Sequence, residues 1–210
     1  MPCRVMLADD HAIVRDGLKA LLEREGYQVV GEASDGHEAV KKAEALRPDV
    51  VVLDISMPLL NGIDATREIQ RVNPRTRVVL LTMHNDDHFV VQSLRAGVSG
   101  YVLKTKAADE LVRAIEEVSK GGMYLSPGVS QRLAQAYLSQ TAVPSDPLSV
   151  RERQVLQLVA EGKTTKEIAN LLGISAKTAE SHRTNIMDKL DIHDTAGLVR
   201  YAIRQGIVIS

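Results

Sequence analysis

The sequence predicts an α/β domain with a doubly wound, five-stranded parallel sheet, followed by a small all-α domain of four helices. Short apolar runs alternate with amphipathic stretches through residue 120, and the strand signal stops at residue 148. From that point, capping patterns open one helix after another. Short apolar runs between helical stretches are typical of strands that are buried on both faces of a parallel sheet.

Five apolar runs define the strands of the first domain. They lie near residues 4–8, 28–33, 50–54, 78–82 and 100–103. The stretches between them carry apolar residues at helical spacing, as in residues 12–25 and 109–120. Asp35 and Glu38 form a pair similar to a capping box, which indicates the start of another helix. This strict alternation of strand and helix predicts right-handed crossovers.

Two glycines, Gly121 and Gly122, end the last helix of the first domain. Three segments result, namely a domain of residues 1–121, a linker of residues 122–147 and an all-α domain of residues 148–210. The linker holds two prolines and no apolar periodicity over residues 139–147, which predicts a flexible chain. A short isolated helix over Val129–Leu138 is also expected.

Capping residues mark where the helices of the second domain begin. The residues expected to open the four helices are Ser149, Thr164, Ser175 and Asp194. The first two are followed three positions later by Glu152 and Glu167, so each forms a capping box. Four short helices without strands predict a small all-α unit.

Composition limits the classes of protein that fit. The chain has 210 residues, is 44% hydrophobic and 25% charged, and has a net charge of −1, as an ordinary globular protein does. No apolar run approaches the ~18–20 residues that a membrane span needs. Cys3 is the only cysteine, so an intrachain disulfide is excluded and a reducing cytoplasm is expected. The first domain is mildly acidic and the second mildly basic.

Polar residues follow four of the predicted strands at the point where each strand ends. These residues are Asp9 and Asp10, Asp54, Thr82, and Lys104. In an open parallel sheet, chemistry gathers in the crevice at the carboxyl ends of the strands. We therefore expect these side chains, which are far apart in sequence, to meet in one small site.

The residue types at this site indicate phosphoryl chemistry. Three ionised carboxylates repel one another unless a hard cation such as Mg²⁺ binds between them. Lys104 would neutralise a phosphoryl group and Thr82 would donate a hydrogen bond to it. Asp9 and Asp10 are suited to hold metal, which leaves Asp54 as the nucleophile that forms an aspartyl phosphate.

The ordered set of strand-end residues, with the loop from Asp54 to Gly62, resembles the receiver domain of two-component response regulators, a flavodoxin-like fold. The resemblance covers residues 1–120 and implies a role for each position. Asp54 would be phosphorylated by a histidine kinase. Asp10 would bind Mg²⁺ directly, Asp9 would assist, and the backbone carbonyl of Ser56 would be a further ligand. Thr82 and Tyr101 would form the switch pair that responds to the phosphoryl group.

The second domain contains a helix-turn-helix spacing. Residues 166–172 are followed by a break at Gly173 and then by residues 176–190. Helical spacing places Ala179, Ile186 and Leu190 on one face of the second helix, with His182 beside them. Polar side chains occupy the other face and its flanks, as a helix in the major groove requires.

The strings Leu148–Leu156, Glu161–Ala169 and Ile174–Leu190 together resemble the LuxR-type helix-turn-helix. With the receiver domain, they identify the chain as a member of the NarL/FixJ family of response regulators. The resemblance implies binding to double-stranded DNA and a homodimer on activation. The candidate DNA-binding residues are Lys166, Lys177, Thr178, Glu180, Ser181, Arg183, Thr184 and Lys189.

The function expected is that of a cytoplasmic transcriptional regulator switched by phosphorylation, with no membrane contact and no enzymatic role. Two alternatives remain at this stage. The first is an Mg²⁺-dependent phosphohydrolase that uses an aspartyl phosphate, although Ser56 stands where haloacid-dehalogenase-type phosphatases have a second acid. The second is a protein-binding switch whose helical domain no longer contacts DNA.

Overall fold

Six parallel strands form a single sheet in the first part of the chain. They are β1 (Arg4–Ala8), β2 (Gln28–Ala33), β3 (Val50–Asp54), β4 (Arg77–Thr82), β5 (Gly100–Leu103) and β6 (Tyr124–Leu125), in the spatial order β2-β1-β3-β4-β5-β6. This is a computed structural model, and it describes residues 2–83, 87–130 and 147–208, without the side chains of residues 87 and 88. The chain divides into two compact units, Met1–Val143 and Pro144–Ser210.

Five helices cover the two faces of this sheet. They are α1 (Ala12–Arg24), α2 (Gly36–Leu46), α3 (Gly62–Val72), α4 (Asp87–Arg95) and α5 (Ala107–Ser119). Val5 and Leu7 point to a core shared with α1 and α5, whereas Met6 and Ala8 point to a core shared with α2, α3 and α4. The strands are therefore buried on both faces, which confirms the doubly wound class predicted from the continuous apolar runs.

The sheet has six strands, so the prediction of five was one strand short. Tyr124 and Leu125 pair in parallel with Gly100 and Tyr101 of β5. A two-residue strand is too short to produce a periodic pattern, and it lies directly after the two glycines that end α5. β6 falls in the segment that the sequence assigned to the linker. Residues 127–130 are helical, and the rest of the predicted helix at Val129–Leu138 lies outside the described residues.

The second unit consists of four helices in the described residues 147–208. They are α6 (Val150–Ala160), α7 (Thr165–Leu172), α8 (Ala176–Leu190) and α9 (Thr195–Arg204). All four predicted N-caps are confirmed, because each side chain accepts a hydrogen bond from a backbone N–H in the first turn of its helix. The first two form complete capping boxes with Glu152 and Glu167.

A left-handed residue connects α7 to α8. Gly173 has a φ of 63°, and its N–H and that of Ile174 bond back into α7, which ends the helix. α6 packs against α8 and α9, and α7 packs against α8. On the face of α8 predicted from helical spacing, Ala179 and Ile186 are buried and Leu190 is half-buried. Among the residues that the structure describes, none of the helices combines the length and the apolar character that crossing a bilayer requires.

Candidate functional site

Two buried carboxylates and one lysine meet at the carboxyl ends of the strands. Lys104 Nζ lies 2.7 Å from Asp9 Oδ2 and 2.9 Å from Asp54 Oδ2. The side chains of Asp9 and Asp54 are each 2% exposed, and that of Lys104 is 16% exposed. A single ammonium group therefore bridges two carboxylates that would otherwise repel each other at short range.

Strand order explains why these residues meet. β1 and β3 are neighbours in the sheet, so Asp9, just beyond β1, lies beside Asp54, the last residue of β3. β4 and β5 follow, with Thr82 paired in register with Leu103, the residue before Lys104. Thr82 is fully buried at the same edge. The carboxyl ends of parallel strands meet at one edge, as the sequence argument requires.

The surroundings of Asp54 disfavour the ionised form of its carboxyl group. Burial, with a smaller contribution from Asp9, raises the pKa of this carboxyl, although Lys104 and the Ser56 backbone N–H lower it. Burial alone would lower the pKa of Lys104, but its bonds to Asp9 and Asp54 raise it instead. The lysine is thus held in its charged form beside a carboxylate that lacks full compensation.

Asp10 and His11 lie on the solvent-exposed side of the acidic cluster. His11 Nδ1 lies 2.7 Å from Asp10 Oδ1 and 3.2 Å from Asp9 Oδ1. One ligand atom from each of Asp9, Asp10, His11 and Asp54 lies within 4.8 Å of all the others. Carboxylate oxygens at this spacing suit a hard divalent cation such as Mg²⁺, so the donor set fits the metal that was expected. Asp10 is exposed, which leaves a route to solvent.

The loop after Asp54 turns back tightly over the end of β3. Gly62 donates its N–H to the Ile55 carbonyl at 2.9 Å. A Cβ at Gly62 would lie 2.1 Å from the Asp54 carbonyl oxygen, so only glycine fits there. Asn61 caps α3 by accepting from the Asp64 N–H. Ser56 belongs to this loop and donates its N–H to Asp54, which places its backbone at the acidic cluster.

Tyr101 is fully buried on the face of the sheet that α2, α3 and α4 cover. Its side chain belongs to the same apolar cluster as Val90 of α4 and Val129. Tyr101 is the residue of β5 that pairs with Leu80, two positions before Thr82. The expected switch pair therefore lies on neighbouring strands of the sheet.

Two residues at this site were not found from the sequence. His11 enters the cluster through its position directly after Asp10, and its backbone N–H donates to Asp9 Oδ1 at 2.9 Å. Arg15, one turn later on α1, donates from Nη1 to the Asp9 carbonyl at 2.6 Å. The signal that could have identified them is the four-residue spacing between His11, the N-cap of α1, and Arg15 within that helix.

The candidate DNA-binding residues are mostly exposed. Lys166 on α7 is exposed, and on α8 the exposed members are Lys177, Thr178, Glu180, Ser181, Thr184 and Lys189. Arg183 and His182 are half-buried. α8 thus presents a polar surface opposite its two buried residues, which suits insertion into a groove.

Three of these side chains have partners on other helices of their domain. Lys189 Nζ lies 2.7 Å from Glu152 Oε2, which belongs to the capping box of α6. Arg183 donates to the Thr195 hydroxyl at 2.6 Å, and Glu180 accepts from the Thr165 hydroxyl at 3.0 Å. These contacts connect α8 to the starts of α6, α9 and α7, so each of the three residues has a structural role.

A doubly wound domain with this acidic cluster, in one chain with a helix-turn-helix unit, has the architecture of a signal-responsive DNA-binding protein. Two family models match the chain: the response regulator receiver domain over residues 5–116, and the luxR family of bacterial regulatory proteins over residues 146–202. The chain therefore belongs to the two-component response regulators with a LuxR-type helix-turn-helix, which are DNA-binding transcription regulators. This confirms the family resemblance seen in the sequence.

Relatives match over nearly the whole chain. The transcriptional regulatory protein MctR of Rhizobium johnstonii is 44% identical over 206 residues, which cover 98% of this chain and 95% of that protein. LiaR of Bacillus subtilis is 41% identical over 208 residues, covering 98% and 99%. RcsB of Salmonella enterica serovar Typhimurium, solved bound to a promoter in the presence of phosphomimetic BeF₃⁻, is 32% identical with a TM-score of 0.63, covering 96% and 98%.

Proposed function

We propose that this chain regulates transcription when Asp54 accepts a phosphoryl group from a histidine kinase in an Mg²⁺-dependent reaction. The observation that carries the proposal is the bridge formed by Lys104 between Asp9 and Asp54 at 2.7 and 2.9 Å. A buried, reactive carboxylate beside a fixed cation is what transfer to an aspartate requires.

In the proposed transfer, an Asp54 oxygen attacks the phosphorus of a phosphohistidine. An O–P bond forms, the P–N bond breaks, and the electron pair returns to the imidazole of the kinase. Asp9, Asp10, Asp54 and the Ser56 carbonyl would hold Mg²⁺, which supplies positive charge next to the transferred oxygens. Lys104 supplies further positive charge to the phosphoryl oxygens and keeps them oriented.

Thr82 and Tyr101 would report the phosphorylation to the rest of the domain. Thr82 is buried at the strand edge that also holds Asp54 and Lys104, and its hydroxyl is the group proposed to bond the phosphoryl oxygen. A movement of Thr82 would change the space available to Tyr101. The surface around α4 and β5 would then change shape and favour a dimer.

α8 would enter the major groove of double-stranded DNA. The exposed polar face of α8 supports this proposal, as does the RcsB relative, which was solved bound to a promoter. Lys166, Thr178 and Lys189 are proposed to contact phosphates, and Thr184 and its neighbours Lys177, Glu180, Ser181 and Arg183 are proposed to face the bases. Lys189, Arg183 and Glu180 each bond to a residue of another helix. If they contact DNA, these three side chains would either keep that partner while they bind or give it up.

Phosphate labelling tests the proposed nucleophile. With acetyl phosphate and Mg²⁺, the wild-type chain should acquire one acid-labile phosphate, and chelation of Mg²⁺ should prevent it. Asp54→Asn should abolish labelling, because an amide is too weak a nucleophile to form the acyl phosphate. Asp49→Asn is the matched control, since Asp49 is an exposed carboxylate just before the opposite end of β3. Full labelling of Asp54→Asn would show that another residue is the nucleophile.

A further inference from the structure

Ser126, the residue after β6, connects the end of β5 to α5. The residue is 1% exposed. Its backbone N–H donates to the Tyr101 carbonyl at 2.9 Å. Its Oγ accepts from the Leu103 N–H at 3.2 Å and donates to the Glu110 carboxylate of α5. One buried serine therefore bonds twice to β5 and once to α5.

The hydrogen bond from Leu103 to Ser126 lies close in the sheet to Lys104 and Thr82, the two residues proposed to contact the phosphoryl group. Leu103 directly precedes Lys104, and it pairs in register with Thr82 on β4. The Leu103 N–H that donates to Ser126 is thus in the residue before Lys104, whose ammonium group bridges the two carboxylates. A hydrogen bond at this place fixes the direction in which β5 ends, and with it the position of Lys104.

The same segment also contacts Tyr101. Leu125 pairs with Tyr101 through the backbone, and Val129 is fully buried in the apolar cluster that contains the Tyr101 ring. Tyr101 is therefore connected to residues 124–130 both by strand pairing and by side-chain packing. A displacement of its ring would change the packing around Val129, where the chain turns into a helix.

We propose that Ser126 is a positioning residue for Lys104, and that phosphorylation reaches β6 and residues 126–130 through its hydrogen bonds. This inference rests on the proposed phosphorylation of Asp54. Lys104 now contacts Asp9 and Asp54, and it must shift to reach the oxygens of a phosphoryl group on Asp54. That shift acts on the Leu103 peptide, so the bonds of Ser126 to Leu103 and Glu110 change with it. β6 and the helical turn at residues 127–130 then respond.

Hydrogen–deuterium exchange of the full chain tests the coupling without any variant. Mg²⁺ with beryllofluoride, a stable phosphoryl mimic, should slow exchange in peptides covering Asp54 and also change it in peptides covering residues 122–130. Protection around Asp54 with unchanged exchange over residues 122–130 would overturn the inference and leave the proposed function standing. Absence of protection at Asp54 would instead overturn the proposed function, and this inference with it.

Variants of Ser126 test the positioning role. Ser126→Ala removes the hydroxyl and should weaken beryllofluoride binding by up to about fivefold, the limit set by the whole stability contribution of one ordinary hydrogen bond. Ser126→Thr retains a hydroxyl and should restore binding, which a loss of packing alone would not explain. Ser130→Ala is the matched control, because the Ser130 hydroxyl bonds only backbone carbonyls of residues 125 and 126 in the described contacts. Wild-type affinity in folded Ser126→Ala, or an equal loss in Ser130→Ala, would contradict the proposal.

Discussion

Asp54 occupies a place where its negative charge is stabilised less well than in water. Burial raises the pKa of this carboxyl, Asp9 adds repulsion, and Lys104 compensates only in part. A chain optimised for stability alone would not place a carboxylate there, because a buried charge without full compensation costs free energy. Such perturbed groups concentrate at functional sites. In the proposed function, the cost would be offset by a carboxylate oxygen placed next to an ammonium group and available to a phosphoryl donor.

The first prediction concerns the stability of metal-free protein. A raised pKa in the folded state means that the native structure gains stability at low pH and loses it as the pH rises through that pKa. Asp54→Asn should therefore unfold at a higher urea concentration than the wild type at neutral pH in the presence of a chelator. The difference should shrink as the pH falls. If Asp54→Asn is less stable than the wild type at neutral pH, the attraction of Lys104 outweighs the cost of burial.

Residues of the site differ in whether their position there could be predicted from the sequence. The meeting of Asp9, Asp54 and Lys104 could be predicted because each follows an apolar strand, and parallel strands share one edge. His11 and Arg15 could not be assigned in this way, since their contacts depend on how α1 is rotated relative to the sheet. The contact of Lys189 with Glu152 could not be predicted either, because Glu152 lies on another helix, 37 positions earlier in the chain.

At the level of elements, strands and helix starts were predictable from local signals. The five longer strands each carry an apolar run, and each N-cap in the second unit is a short polar side chain before a helical pattern. β6 is different, because its two residues become a strand only through pairing with β5. Tertiary contacts alone determine such an element.

The second prediction concerns the start of α6. Burial would raise the pKa of Glu152, but bonds from Lys189 and Ser149 lower it. A lowered pKa means that Glu152 stabilises the folded state at any pH above the pKa that a glutamate has in the unfolded chain. This stabilisation is lost as the pH falls through the pKa of Glu152 in the folded state. Lys189→Gln should destabilise the second unit by about 1 kcal/mol at neutral pH, because the lysine is only partly buried.

Thermal unfolding of the full chain, followed at neutral and acidic pH, provides the measurement. The loss caused by Lys189→Gln should disappear at acidic pH, where Glu152 is protonated in both states. Lys166→Gln is the control, since Lys166 is an exposed lysine on α7. Equal stability of the two variants at neutral pH would mean that the Lys189–Glu152 pair contributes nothing measurable.

The third prediction distinguishes the two kinds of DNA contact proposed for α7 and α8. Lys166→Ala should weaken binding by a similar factor on all DNA sequences and reduce its salt dependence, because a phosphate contact carries no sequence information. Thr184→Ala should change the sequence preference, as loss of a base contact does. Fluorescence titrations on specific and unrelated duplexes would decide. The same effect of both variants on both duplexes would exclude this position of α8 in the groove.

At the scale of the whole molecule, one recognition helix makes too small an interface for tight specific binding. Two copies on half-sites about one helical turn (~10 bp) apart would provide the missing contacts. Phosphorylation at Asp54 would therefore act by favouring a dimer. Residues 122–130 belong to the first unit, and in the proposal for Ser126 the signal reaches them through the end of β5.

Activation of the full chain by beryllofluoride with Mg²⁺ is the most direct test of a switch that joins Asp54 to DNA binding. Sedimentation and DNA titration on the same samples should show a larger dimer fraction and a higher operator affinity than without beryllofluoride. Both increases should be smaller in Thr82→Ala, which lacks the hydroxyl that would bond the phosphoryl group. Unchanged mass and unchanged affinity in wild-type protein that has bound beryllofluoride would contradict the switch.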